Sequence, residues 1–355
     1  MNNYVIHGIS IMVGFLSCYV NAVEAQEDSE THKERNAQLK NAGFDGSVLL
    51  VNSNGVSFVL GRPFRGEFSS LAELMITGFY AYDCELNSLR GLEGVRTLKE
   101  VVIPNNTVCD LRPLRGLPLT RVNVSANPIV DLSPIVQDKL RVLDVSGSGP
   151  LDLACLKGCA LERLELGDNL VSNFDVVASL PLKRLSFTKR QNTPVTAIAG
   201  LHLESLTINQ ASDEDLEIIA RMPLTELELP QGSIYDLTPI SNLKLHRLHV
   251  AIVEGGSLLP LKGMPLRSLS IGTSYLSMSN LVVIASLPIT DLTLECTEID
   301  VTPLRSMSLE RLCFNPDSVT AGIEYIQRMP SLRALGVVTH RMYTPESFWQ
   351  LFGRR

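Results

Sequence analysis

Three sets of residues in this 355-residue chain have types and spacings that could do chemistry. The first is cysteine. Cys155 and Cys159 lack the second Cys or His pair that a zinc site needs. Cys84 and Cys109 are more informative. Glu85-Leu-Asn-Ser-Leu89 aligns with Asp110-Leu-Arg-Pro-Leu114, which puts the two thiols at one slot of adjacent segments. If those segments stack as neighbouring strands, equivalent residues stand about 5 Å apart, inside the Cα window for a disulfide. The bond would close a loop of about 25 residues, worth about 3 kcal/mol in the chain-entropy model. The alternative is two stacked thiols facing a core.

The second set is histidine and aspartate. His246 and His249 fall at strand positions that point to opposite faces, so they read as surface residues rather than a metal-ligand pair. Asp110, Asp131, Asp152, Asp236 and Asp300 recur once per segment at a turn. Calcium is a tempting reading, but capping of backbone N–H groups explains both the Asp and the Pro that follows most of them. No Gly-rich phosphate loop, G-x-S-x-G or H-E-x-x-H is present, nor any H-R-D or D-F-G kinase element. We therefore expect no catalytic residues, no cofactor and no metal.

The third set is a recurring row of polar and charged side chains: Arg121 with Asn123, Asp144, Arg163 with Glu165, Arg184, and Arg247 with His249. These could bind a partner by charge and hydrogen bonds.

The elements that position them are legible in an L-x-x-L-x-L frame, seen in Leu224-Thr-Glu-Leu-Glu-Leu229. It recurs every 21 residues from Leu98 to Leu266, then at Ile289, Leu309 and Leu332. Leu71-Ala-Glu-Leu-Met-Ile76 reads as one further copy, making 13. This period is the signature of a leucine-rich-repeat solenoid. The expected fold is an α/β solenoid, a horseshoe with parallel strands on the concave face and short 3₁₀ or α segments on the convex face. Positions 1, 4 and 6 of each frame point inward; positions 3 and 5 point outward, and the row of Arg, Asp and Glu occupies them. Large aromatics are absent from those positions. Asp213 to Arg221, Phe174 to Leu180 and Ser279 to Ser286 lack the Pro and should form more regular helices.

Residues 41–70 read as an N-terminal cap with a β-hairpin turning at Asn52-Ser-Asn-Gly55, 71–340 as the solenoid, and 341–355 as a C-terminal cap. Ahead of them, Ile9 to Val20 is an apolar run too short to span a membrane, followed by Val23 and Ala25 in a cleavage-site pattern. We read 1–25 as a signal peptide and 26–40 as a polar leader; an uncleaved anchor is the alternative. The net charge of −7 argues against nucleic acid as partner.

Asp131-Leu-Ser-Pro-Ile135 and its relatives, with Gly116-Leu-Pro-Leu119, resemble a family of bacterial leucine-rich-repeat proteins whose repeats read D-L-S-P-L-K-G-M-P-L. Internalins are similar, with slightly longer units. Asn41-Ala-Gly-Phe-Asp-Gly46 resembles that group's entrance motif, and Gly322 to Leu332 with Phe348-Trp349 its closing one. The resemblance implies an exported or kinase-associated protein and supplies no catalytic residue. The chain departs from it at the Asn slot after the strand, filled by Asn127 and Asn169 but mostly by others such as Arg190, Ala211 and Val253.

The expectation is a monomeric, non-catalytic scaffold, exported or envelope-associated, with no small-molecule substrate. It would bind a protein or peptide on its concave face through Arg121, Asn123, Asp144, Arg163, Glu165, Arg184, Arg247 and His249. The alternatives are an envelope spacer without a ligand and an accessory subunit of a signalling kinase.

Overall fold

The computed structural model describes residues 66–338 and 341–353, together with 37, 39–41, 44, 47–52, 55–61, 63 and 64. The expected signal peptide and almost all of the leader lie outside the described residues. The chain divides into two compact units, Met1–Thr193 and Pro194–Arg355.

In the first unit, β1 (Val48–Asn52) and β2 (Gly55–Val59) form the expected antiparallel hairpin, its two turn residues lying outside the described ones. From β2 the pairing is parallel and in register through β3 (Gly78–Tyr80), β4 (Glu100–Val102), β5 (Arg121–Asn123), β6 (Val142–Asp144), β7 (Arg163–Glu165) and β8 (Arg184–Thr188). The second unit continues the same plan within itself. It comprises β9 (Ser205–Asn209), β10 (Glu226–Asp236), β11 (Arg247–Ser257), β12 (Ser268–Gly272), β13 (Asp291–Glu295), β14 (Arg311–Phe314) and β15 (Ala334–Val338). An antiparallel β16 (Arg341–Tyr343) closes it. This is a leucine-rich-repeat solenoid, parallel strands alternating with short helical turns.

The frame explains the register. Leu161, Leu164 and Leu166 are at most 1% exposed, and the same three positions are buried in repeat after repeat. Each such side chain contributes about 1.5–3 kcal/mol of burial, so a strand that slipped by one residue would forfeit its whole row. Phenylalanine covers the start of the first unit's core, where Phe44, Phe58, Phe68 and Phe79 make ring contacts with centroids 4.9–5.9 Å apart. The end of the second unit is covered likewise by Phe314, Tyr343, Phe348 and Trp349.

The return segments are mostly 3₁₀ turns, because about 21 residues per coil leave no room for more. The aspartates act as expected. Asp110, Asp131, Asp152, Asp236 and Asp300 each accept from the backbone N–H two residues on, at 2.8–2.9 Å. α1 (Asp213–Ile219) and α2 (Met278–Ala285) are regular helices, the first closed by a Ser212/Asp215 capping box. α3 (Ile323–Gln327) and α4 (Pro345–Phe352) follow. Phe174–Ser179 is a 3₁₀ segment instead: its N-cap, Asn173, turns its side chain back to Asp152 and caps nothing.

Two further expectations are corrected. Leu71-Ala-Glu-Leu-Met-Ile76 is no strand; Ser69–Leu74 is a 3₁₀ helix. The strand of that coil is β3, whose Phe79 pairs with Val101, so its frame is Ile76-Thr-Gly-Phe-Tyr-Ala81. Cys84 and Cys109 are both free. The N–H of Arg90 donates to Ser88 Oγ as that of Arg112 donates to Asp110 Oδ1, so Ser88 and not Glu85 is the counterpart of Asp110. The thiols therefore occupy different slots: Cys84 is buried and Cys109 is exposed.

Candidate recognition surface

The outward strand positions of the first unit bring the expected residues together. Glu100, Arg121, Val142, Arg163 and Arg184 are register partners along one row. Val102, Asn123, Asp144, Glu165 and Ser186 form the row beside it. Arg247 and His249 belong to the second unit, in the equivalent rows of β11 between Glu226, Glu228, Ser268 and Ser270.

The corrected first frame adds a residue that sequence reasoning missed. Tyr80 stands at an outward position beside Val102, so the face does carry an aromatic. Its phenol donates to Glu100 Oε2 at 2.7 Å. Burial, reinforced by that bond, holds the phenol well above its ordinary range.

Next to this pair is Arg121. It is half-buried, and its Nε is out of contact with water and has no hydrogen-bond partner. Asp144, one strand further, is half-buried. It accepts from Asn123 Nδ2 at 2.9 Å and from the Ser146 N–H at 3.0 Å. Burial nevertheless lifts its carboxyl above the usual range, against the pull of Ser146, Arg163 and Arg121. Glu165, its register neighbour, is also lifted by burial, and the charge of Asp144 adds to the effect while Arg163 opposes it.

Arg163 and Arg184 are side by side, as the spacing predicts. The arginine is compensated within its own strand, however: Arg163 Nε meets Glu165 Oε1 at 2.8 Å. The second unit has a cross-strand counterpart in the ion pair of Arg311 with Asp291. The resulting surface holds charges of both signs, Arg163 beside Arg184 in one row and Asp144 beside Glu165 in the next. It can bind through oriented charge and hydrogen bonds.

A further ladder runs behind this face, eight residues into each frame. Asn106 accepts from the N–H groups of Cys84 and Leu86 and donates to Ala81 O, Ile103 O and Pro104 O. Asn127 accepts from Val108 and donates to Ile103 O, Val124 O and Ser125 O. Cys84 occupies the same slot: its thiol donates to Leu60 O and Tyr82 O. Burial, together with Asp83, pushes this thiol up, which suits a structural rather than a reactive cysteine. Counting eight residues from each frame's first position would have found Asn106 and, in the corrected first frame, Cys84. In the second unit Asn280 does this work from the first turn of α2, accepting from the Leu258 N–H and donating to Gly256 O, both at 2.9 Å.

No family model matches the chain, and no curated protein does. Solved structures do. An internalin, InlF of Listeria monocytogenes, is similar with a TM-score of 0.53 and 24% identity, over 74% of this chain and 82% of that one. Internalin C2 of the same organism has a TM-score of 0.40 and 26% identity, over 48% of this chain and 77% of its own. The mouse RP105/MD-1 complex has a TM-score of 0.43 and 14% identity, over 75% and 55%. The InlF likeness agrees with the leucine-rich-repeat solenoid built above from register and burial.

Proposed function

We propose that this chain is a non-catalytic recognition scaffold that binds a protein or peptide on the strand face of its first unit. The observation that carries this is the charged row itself. Asp144 and Glu165 are half-buried carboxylates lifted above their usual range, and Arg121 Nε is sealed without a partner. Each costs stability that a neutral residue would not. A sheet face that only had to be wetted could carry Ser or Thr, as β9 does with Ser205 and Thr207. Charge held at a cost in a rigid frame is the mark of a binding site. Arg121 is the leading anchor, because Arg163 is already engaged by Glu165. The apolar run Ile9 to Val20 supports export, which would place the scaffold outside the cell or in its envelope.

The test is capture from the native envelope fraction, followed by affinity measurement with the captured partner. Arg121→Ala should weaken binding at least tenfold and Arg184→Ala less, with thermal stability not lowered. Lys157→Ala, in the return segment, is the control. Equal binding by all three variants and the wild type would end the proposal.

A further inference from the structure

Past its strands, the second unit leaves large apolar side chains in the open. Tyr235 is 57% exposed, Tyr275 52%, Met278 47% and Val253 37%. They stand on three successive coils that are tied together. β10 and β11 run on beyond the frame, with Ile234 paired to Ile252 and Asp236 to Ser257. Tyr235 therefore lies against the Gly255-Gly256 step of the next coil, where a Cβ on Gly255 would stand 3.7 Å from its ring. The third coil is joined by Asn280, which bonds Gly256 O and the Leu258 N–H. Tyr275 and Met278 come just before it. Single exposed apolar residues are ordinary, but a ridge of them across coils marks an interaction surface.

The charge on this ridge has one sign. Gly272 is the register partner of both Ala251 and Glu295. Three residues beyond these come Tyr275, Glu254 and Glu298, and Tyr275 forms a parallel bridge with Glu298. The tyrosine thus stands between two glutamates, one coil to either side. All three are exposed, and among the described residues neither glutamate is in an ion pair. Glu295 adds a third exposed carboxylate, turned toward the coil of Tyr275: a Cβ on Gly272 would stand 3.9 Å from its Oε2. The post-strand stretches 230–237, 251–259, 272–279 and 295–300 contain no Lys or Arg.

We propose that this ridge docks a partner polypeptide through an arginine, its guanidinium over the Tyr275 ring between Glu254 and Glu298, with apolar neighbours on Tyr235, Val253 and Met278. The face of a tyrosine ring attracts a cation. A planar guanidinium stacks on it while its N–H groups point outward, toward carboxylates on both sides. An acidic segment would be repelled by three unpaired carboxylates. A second copy in a two-fold contact would bring the same three to face them. The proposal does not depend on the strand-face reading, which concerns the first unit.

The probe is a Leu-Arg-Leu peptide blocked at both ends, titrated into the full chain with methyl-labelled methionine and followed by NMR. Met278 should shift saturably, and Met75, exposed in the first unit, should not. The Leu-Gln-Leu analogue should bind about fivefold more weakly. Glu254→Gln combined with Glu298→Gln should weaken the arginine peptide by as much, and so should Tyr275→Leu, which keeps the apolar bulk without the ring. These side chains are exposed, so the variants should fold as the wild type does. No saturable shift at Met278, or equal shifts at Met75 and Met278, would overturn the site. Equal binding of the two peptides, or of the arginine peptide to the wild type and the double variant, would overturn the cationic partner. Concentration-dependent dimerisation in sedimentation, abolished by Tyr235→Ser, would assign the ridge to a second copy instead.

Discussion

Asn127→Ala and Asn169→Ala are the same substitution at the same slot of one unit, and the ladder predicts unequal costs. Asn127→Ala leaves the buried N–H of Val108 without its acceptor. An orphaned buried donor costs about 1–3 kcal/mol. Three donations, to Ile103 O, Val124 O and Ser125 O, are lost as well. Asn106 still serves Ile103 O, and the N–H of Asn105 still donates to Ser125 O, so these losses are partial and add about 1 kcal/mol. The sum is about 3 kcal/mol, or a fall in Tm of about 4 °C for 355 residues at about 2.1 cal/mol/K of unfolding entropy each. Asn169→Ala removes one donation, to Val145 O, and with it a carbonyl that was buried unmet. The two nearly offset, so the cost is under about 1 kcal/mol and the Tm shift under about 1.5 °C. Thermal unfolding followed by circular dichroism separates the two. Equal destabilisation by both substitutions would show that Asn169 is as fully bonded as Asn127.

Glu165→Gln should raise Tm at pH 7. Burial lifts the carboxyl, so the folded chain binds its proton more tightly than the unfolded one does; the penalty is present at neutral pH and fades as pH falls through the raised value. The gap between variant and wild type should therefore close by about pH 4, near the unfolded Glu value; a gap constant with pH would contradict this. The turn aspartates have the opposite sign. Bonds from the residue two positions on hold Asp131, Asp236 and Asp300 below the usual range, so their stabilisation is complete above the unfolded value, about 3.9, and lost in acid. A triple Ala variant should melt lower than wild type at pH 6 and converge with it near pH 2. For the thiols, alkylation of the native protein without reductant should label exposed Cys109 and spare buried Cys84; recovery of a Cys84–Cys109 cross-linked peptide would restore the disulfide.

The strands were legible because each frame's three apolar positions recur at a fixed interval. The same economy caused the misreading at the first coil. Leu71-Ala-Glu-Leu-Met-Ile76 satisfies the apolar pattern, yet the true strand frame, Ile76-Thr-Gly-Phe-Tyr-Ala81, puts Phe79 and Ala81 where Leu is expected. Three apolar positions cannot tell a strand from a turn that also faces the core. The five-residue shift hid Tyr80 from the recognition face. Aligning the next return segment on its leucines, rather than on the hydroxyl or carboxylate that caps the turn, misplaced Cys84 by a further three.

The composition of the face was legible for a different reason: strand alternation fixes which residues point outward, whatever they are. Which charges neutralise one another was not. Spacing puts both Arg184 and Glu165 beside Arg163 on one face, and the structure shows that Arg163 Nε meets Glu165, two residues along its own strand. The ladder shows the same limit more sharply. Asn127 and Asn169 are identical in type, slot and burial class, and a repeat alignment assigns them one role. Their difference lies 19 residues upstream, in whether the preceding coil offers the N–H of Val108 or the ring of Pro150. In a solenoid each rung is completed by its neighbour, so the function of a slot is a property of two coils. Substituting Pro150, which lies outside the frame, by a residue with an N–H is for that reason the direct test of the difference between Asn127 and Asn169.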